Sequence, residues 1–270
     1  MPNPNDNPES PSGYQDFLSS LLSDRELLFT EVVECKDLWR KLRQSVWTLL
    51  ASTAFYGLAA GAYAGLLQAA SAGLKLPVLI LVTLMICFPA FFIVQILVGS
   101  RLRLLQVLVL VLAALALTSI LLVAFTPVTI FFLITGANYY FLQLLHILIV
   151  LIAGLFGMYA LHEGLAVVCE RRGVYPKKAL TIMRVWAVLF AFVGIQLAWN
   201  LRPFLGDRGE PFRVFRSYEG NFYAAIVFSV NKLLRGEDQN AVSPNSSGTE
   251  TSIQELLRPQ ADTSPEGEPR

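Results

Sequence analysis

LLQVLVLVLAALALTSILLVAF, residues 104–125, holds no charged side chain, and Gln106, Thr118 and Ser119 are its only polar positions. A helix of about 20 apolar residues crosses the roughly 30 Å hydrocarbon core of a bilayer. Nothing in this run interrupts such a helix before Thr126-Pro127. The same character extends outward in both directions. From Leu38 to His162, 125 consecutive positions carry no Asp or Glu, and past Arg43 the basic residues there are only Lys75, Arg101 and Arg103. A medium in which charge is this costly is lipid.

The totals agree. The chain has 270 residues, 54% hydrophobic and 15% charged, where soluble domains carry about 25% charged residues. The net charge of +1 conceals segregation: eight of the 20 acids lie in residues 6–37, ten in 207–268, and only Glu163 and Glu170 between. There is no basic excess to suggest nucleic acid as a partner. Cys35, Cys87 and Cys169 are far apart, with no CxxC or Cys/His spacing, so neither a disulfide framework nor a zinc site is expected. The first 40 residues show no basic stretch ahead of an apolar core, so the first membrane helix is expected to target the chain. GxSxG, HExxH, Walker and GxGxxG patterns are absent and there are only two histidines. The expectation is no enzyme, no cofactor and no metal.

Length and hydropathy predict an all-α polytopic transmembrane helix bundle of five spans: 46–70, 76–98, 104–125, 140–168 and 181–201. Pro77 would open the second span, where a missing N–H costs nothing. Pro89 lies inside that span and predicts a kink. Residues 128–138 are apolar but too short to cross, and predict a re-entrant or interfacial segment. Residues 1–13 and 237–270 are polar and rich in Pro, Ser or Asn, and predict disorder. Residues 14–45 predict a cytoplasmic amphipathic helix. Ser23 and Glu26 would form its capping box, and Leu28, Val32, Cys35, Trp39 and Leu42 its apolar stripe. Residues 202–236 predict a non-cytoplasmic cap ending in a short interfacial helix from Phe222 to Arg235.

Basic residues predict orientation. Lys36, Arg40, Lys41 and Arg43, then Arg101 and Arg103, then Arg171, Arg172, Lys177, Lys178 and Arg184 fall in alternate loops. The rule that positive loops stay inside makes the amino terminus cytoplasmic. A sixth span at 128–138 would place the last group outside.

Three groups of residues are candidates for function. Gly57, Gly61 and Gly65 make overlapping GxxxG units, a helix-packing stripe with Gly154 and Gly157 as a possible counter-surface. Trp199, Arg202, Phe204, Phe212, Phe215, Arg216, Asn221, Phe222 and Tyr223 interleave cations with aromatics, as a bundle cap or a partner-docking surface. Gln143 and His146 share a face of one span, Gln196 and Asn200 a face of another, and together are candidates to line a pathway. Glu163 is expected at the cytoplasmic end, paired with Arg171 or Arg172.

The pattern LRPFxG…PF…FR…EGNFY at 201–223, with Lys75-Leu-Pro, Gly99-Ser-Arg, Ala124-Phe-Thr-Pro and Leu144-Leu-His, resembles an uncharacterised family of bacterial multi-span inner-membrane proteins. That resemblance covers about residues 24–235 and implies a bacterial inner membrane or an internal photosynthetic one. It implies no activity. The layout is similar by analogy to eukaryotic Yip-type proteins, whose marker residues are absent. The expected role is a non-enzymatic accessory, scaffold or assembly subunit, in contact with membrane lipids and with another membrane protein or a second copy. The alternative is a small channel or carrier.

Overall fold

The computed structural model describes residues 13–97, 102–136, 138–172 and 176–201, with isolated positions beyond. Every element among the described residues is a helix: α1 Tyr14–Ser23, α2 Arg25–Val33, α3 Leu38–Gly61, α4 Leu66–Leu97, α5 Leu104–Ala124, α6 Thr126–Ile134, α7 Tyr139–Arg172 and α8 Pro176–Asn200. The expected disordered ends, the basic loop side chains at 101 and 171–178, and nearly all of 202–236 lie outside the described residues. Four helical runs are long and apolar enough to cross a membrane: Leu66–Leu97, Leu104–Ile134, Tyr139–Val168 and Thr181–Asn200. The chain is a multi-pass membrane protein.

The expected first span, 46–70, is not one helix. Residues 46–61 belong to α3, the chain turns through a short 3-10 segment at Ala62–Ala64, and Leu66 already opens α4. The turn sits where Gly65 adopts φ +120°, a conformation that costs glycine little and other residues much. The loop expected near 71–75 is absent. Lys75 and Pro77 lie inside the 32-residue α4, and Lys75 is buried. Pro77 and Lys75 imitate a loop boundary, while the actual turn, GAYAG, imitates a packing motif.

Gly57 and Gly61 explain how closely α3 and α4 approach. A Cβ on Gly57 would lie 2.6 Å from the Ala72 carbonyl oxygen, and one on Gly61 2.7 Å from that of Gln68. Rising positions on α3 meet falling positions on α4, so the pair is antiparallel. Gly73 completes the seam from the other side, under Leu58. Gly157 packs instead against Ala114 and Thr118 of α5, and Gly154 has open space beside it. The counter-surface of the stripe is therefore α4, not α7.

Helix α5 occupies the centre, between α3 and α7, with Leu110, Val111, Leu112, Ala113, Ala114 and Ala116 all buried. After the single residue Phe125, α6 follows, with Pro127 in its first turn, where a missing N–H costs nothing. Helices α4 and α8 pair through Trp186, whose indole N–H donates to the Cys87 carbonyl at 2.9 Å. Their outward faces carry exposed Met85, Ile86, Val185 and Val188, the surface a lipid solvent accepts.

The expected amphipathic helix at 14–45 is three pieces. Asp24, not Ser23, caps α2, its carboxylate accepting from the Leu27 N–H at 3.4 Å. The chain then reverses through Cys35 (φ 63°) and Asp37 (φ 48°). Left-handed geometry costs such residues on the order of 1 kcal/mol each, and it splits the stripe. Leu28 and Val32 are buried, whereas Cys35 and Trp39 are exposed.

Gly57→Ala and Gly61→Ala should each destabilise the protein by about 1–3 kcal/mol, because backbone rather than a flexible side chain must move. Gly154→Ala should be neutral or mildly stabilising. Thermal unfolding in detergent separates the two classes; equal midpoints for all three variants would refute the seam.

Candidate functional site

Helices α1 and α2 form an arm that docks on one end of the bundle. Phe17, Leu21, Leu28, Phe29 and Val33 share a core with Leu102, Val107, Leu161, Leu165 and Val168. Phe29 is fully buried, and its ring lies where a side chain on Gly164 would go, 2.9 Å from that Cβ position. Among the arm's polar fastenings, Gln106 is the most consequential. Its amide donates to the carbonyls of both Val32 and Val33 at 2.9 Å, while its oxygen accepts the Arg103 N–H at 2.9 Å. A helix leaves its last carbonyls without internal partners, and a side chain from α5 satisfies two of those of α2.

The reversal after α2 is fastened as well. Lys41 is buried; its ammonium donates to the Lys36 carbonyl at 3.0 Å and pairs with Glu31 at 2.9 Å. Arg40 pairs with Asp37 at 2.7 Å, and the Tyr14 hydroxyl shares a 2.8 Å hydrogen bond with Thr48. Glu163 faces Arg25, Nε to Oε2 3.5 Å, with the Arg25 guanidinium 5.9 Å from the Tyr159 ring centre. At that separation the contact is Coulombic, since Glu163 Oε2 accepts no hydrogen bond. The carboxylate expected to serve Arg171 or Arg172 thus anchors the arm.

Deeper in the bundle, three helices meet at a polar junction. The Tyr56 hydroxyl on α3 lies 2.9 Å from His146 Nδ1 on α7, with the two rings stacked 5.4 Å apart. Helix α6 also packs on α3, with Thr129 near the Tyr56 hydroxyl. Leu76, Leu122, Ile149 and Ala153 enclose Tyr56 in an apolar shell. The candidate pathway residues are distributed otherwise. His146 engages α3 through Tyr56, Gln143 is partly buried, and Gln196 and Asn200 are exposed on α8.

Gly57 and Gly61 lie in the α3–α4 seam, and Gly65 serves the turn rather than helix packing. Of the cap candidates, Trp199 is partly buried near the end of α8, and the Phe204 carbonyl accepts from Gln68 Nε2 at 3.3 Å. Arg202, Phe212, Phe215, Arg216, Asn221, Phe222 and Tyr223 lie outside the described residues. Among the described residues no three His, Cys, Asp or Glu side chains gather as a metal set. Sequence reasoning missed Gln106 as a fastening and Tyr56 as the His146 partner. Both contacts join residues more than seventy positions apart, and nothing local marks them.

Gln106→Leu should remove the side-chain donor that the Val32 and Val33 carbonyls share at a cost of about 1–3 kcal/mol, loosening the arm before the bundle. Limited proteolysis in detergent should cut near 34–37 faster in the variant; unchanged cleavage would argue that Gln106 does not hold the arm. No protein-family model, curated protein or solved structure matches the chain.

Proposed function

We propose that this chain is a non-enzymatic accessory, scaffold or assembly subunit of a larger membrane complex. Helix α3 serves as a fifth crossing and the amino terminus is cytoplasmic. The observation that supports a framework role is the use made of polar groups. Tyr56 with His146, Trp186 with the Cys87 carbonyl, Gln106 with α2 and Gln68 with Phe204 each tie one element to another. Such contacts hold helices together; a translocation path needs polar groups turned to a common lumen.

With Gly57 and Gly61 occupied by α4, partner contact falls to the outer face of α8, with exposed Val185, Val188 and Phe192, and to residues 199–223. The membrane implied by the family resemblance is a bacterial inner membrane or an internal photosynthetic one. A carrier is the second reading. Gln95 favours it, being buried with neither amide atom hydrogen-bonded.

The subunit reading predicts copurification in mild detergent with one partner, a different membrane protein or a second copy, at constant stoichiometry. A photo-crosslinker at Val188 should capture that partner, and one at Gly57 should not. A stable solitary monomer would sink the proposal, and solute flux in proteoliposomes abolished by Gln95→Leu would establish the rival. Orientation has its own test. Cys35 is exposed and Cys87 buried, so in a Cys169→Ser background a membrane-impermeant maleimide should label intact cells only after permeabilisation. Labelling without permeabilisation reverses the topology.

A further inference from the structure

We infer that the Trp39–Arg43–Trp47 strip on α3 is a seat for an anionic lipid headgroup at the inner face of the membrane. This rests on the proposal that α3 crosses. The three residues are four apart and share one helix face. Trp39 is 73% and Trp47 63% exposed, and Arg43 is exposed between them. The neighbouring cations are engaged, Arg40 by Asp37 and Lys41 by Glu31. Among the described residues, none hydrogen-bonds or pairs with Arg43. Further along the same face the exposed residues turn apolar, through Ala51 to Phe55 and Leu58.

Depth places the strip. At the far end of α3, Tyr63 packs with Leu142, Phe132, Leu133 and Tyr139, and Tyr140 stands beside Tyr139. Tyrosines gathered at helix ends mark a membrane–water interface. Counting back from Gly61 at 1.5 Å per residue puts Trp47 about 21 Å away, Arg43 about 27 Å and Trp39 about 33 Å. The hydrocarbon layer is about 30 Å thick. Arg43 therefore lies within about 3 Å of the opposite boundary, with Trp47 about 9 Å inside it and Trp39 about 3 Å outside. On helix α7, Tyr139 and Tyr159, which has Arg25 beside it, are also about 30 Å apart. A cation at that level between two indoles meets a lipid phosphate, and anionic lipids bring extra charge to it.

Full-length protein would be reconstituted with lipids brominated near the top of the acyl chain, either phosphatidylglycerol or phosphatidylcholine, in a Trp186→Phe, Trp199→Phe background. Brominated phosphatidylglycerol should quench the remaining tryptophans with about five-fold higher apparent affinity, the ratio that roughly 1 kcal/mol per cation gives. Arg43→Gln should abolish that preference and leave quenching by phosphatidylcholine intact. Equal quenching by the two lipids, or a preference that survives Arg43→Gln, overturns the seat while leaving α3 in the bilayer. Quenching by aqueous iodide and by neither lipid overturns the crossing itself. If Trp186→Phe prevents folding, Trp39→Phe with Trp47→Phe in the otherwise native chain supplies the readout, as the lipid-specific component of quenching should vanish.

Discussion

The backbone contact between α3 and α4 at Gly57 and Gly61 is the constraint on which the rest of the bundle depends. It places two backbones at a separation no side chain permits. In lipid, where apolar surface gains nothing by leaving the solvent, such close packing supplies much of the association. Seating α3 there also orients its other faces. Tyr56, next to Gly57, is turned to His146 on α7, and Lys41 and Leu38 at the opposite end receive the reversal that ends the arm.

Polar groups have a second job in this setting. A buried donor or acceptor without a partner is expensive, and more so away from water. The described polar side chains within the bundle are mostly answered by backbone carbonyls: Thr53 by Leu49, Thr83 by Leu79, Thr118 by Ala114, Trp186 by Cys87. Ser45 and Gln95 are exceptions, buried with unbonded atoms. One of the two lies on α3 and the other on α4.

The membrane character was legible because it depends on composition over long runs, and lipid imposes that composition on every helix it touches. The starts of α5 and α7 followed, to within a residue, from the same signal. The turn at 62–65 was hidden because glycines spaced by four serve equally as a packing stripe and as a hinge. Only the positive φ of Gly65 separates the two. The break in the arm was hidden because Cys35 and Asp37 take left-handed geometry without being glycine, held there by Lys41 and by the carbonyl contacts of Gln106. Of the candidate residues, Gly57 and Gly61 were recognisable as packing positions from type and spacing. Their partners were not, since contacts across helices leave no trace in local pattern.

The docked arm carries a consequence for biosynthesis. Phe29 is made early, but its receiving surface at Gly164 appears only about 130 residues later. At about 5–20 residues per second, the arm waits roughly ten seconds with Phe29, Leu28 and Val32 uncovered. Its closure requires α5 and α7 to be in place side by side, because Gln106 and Gly164 come from different helices. Assembly thus has a fixed order: the arm is made before the surface that covers it, and it can seal only once α5 and α7 stand side by side.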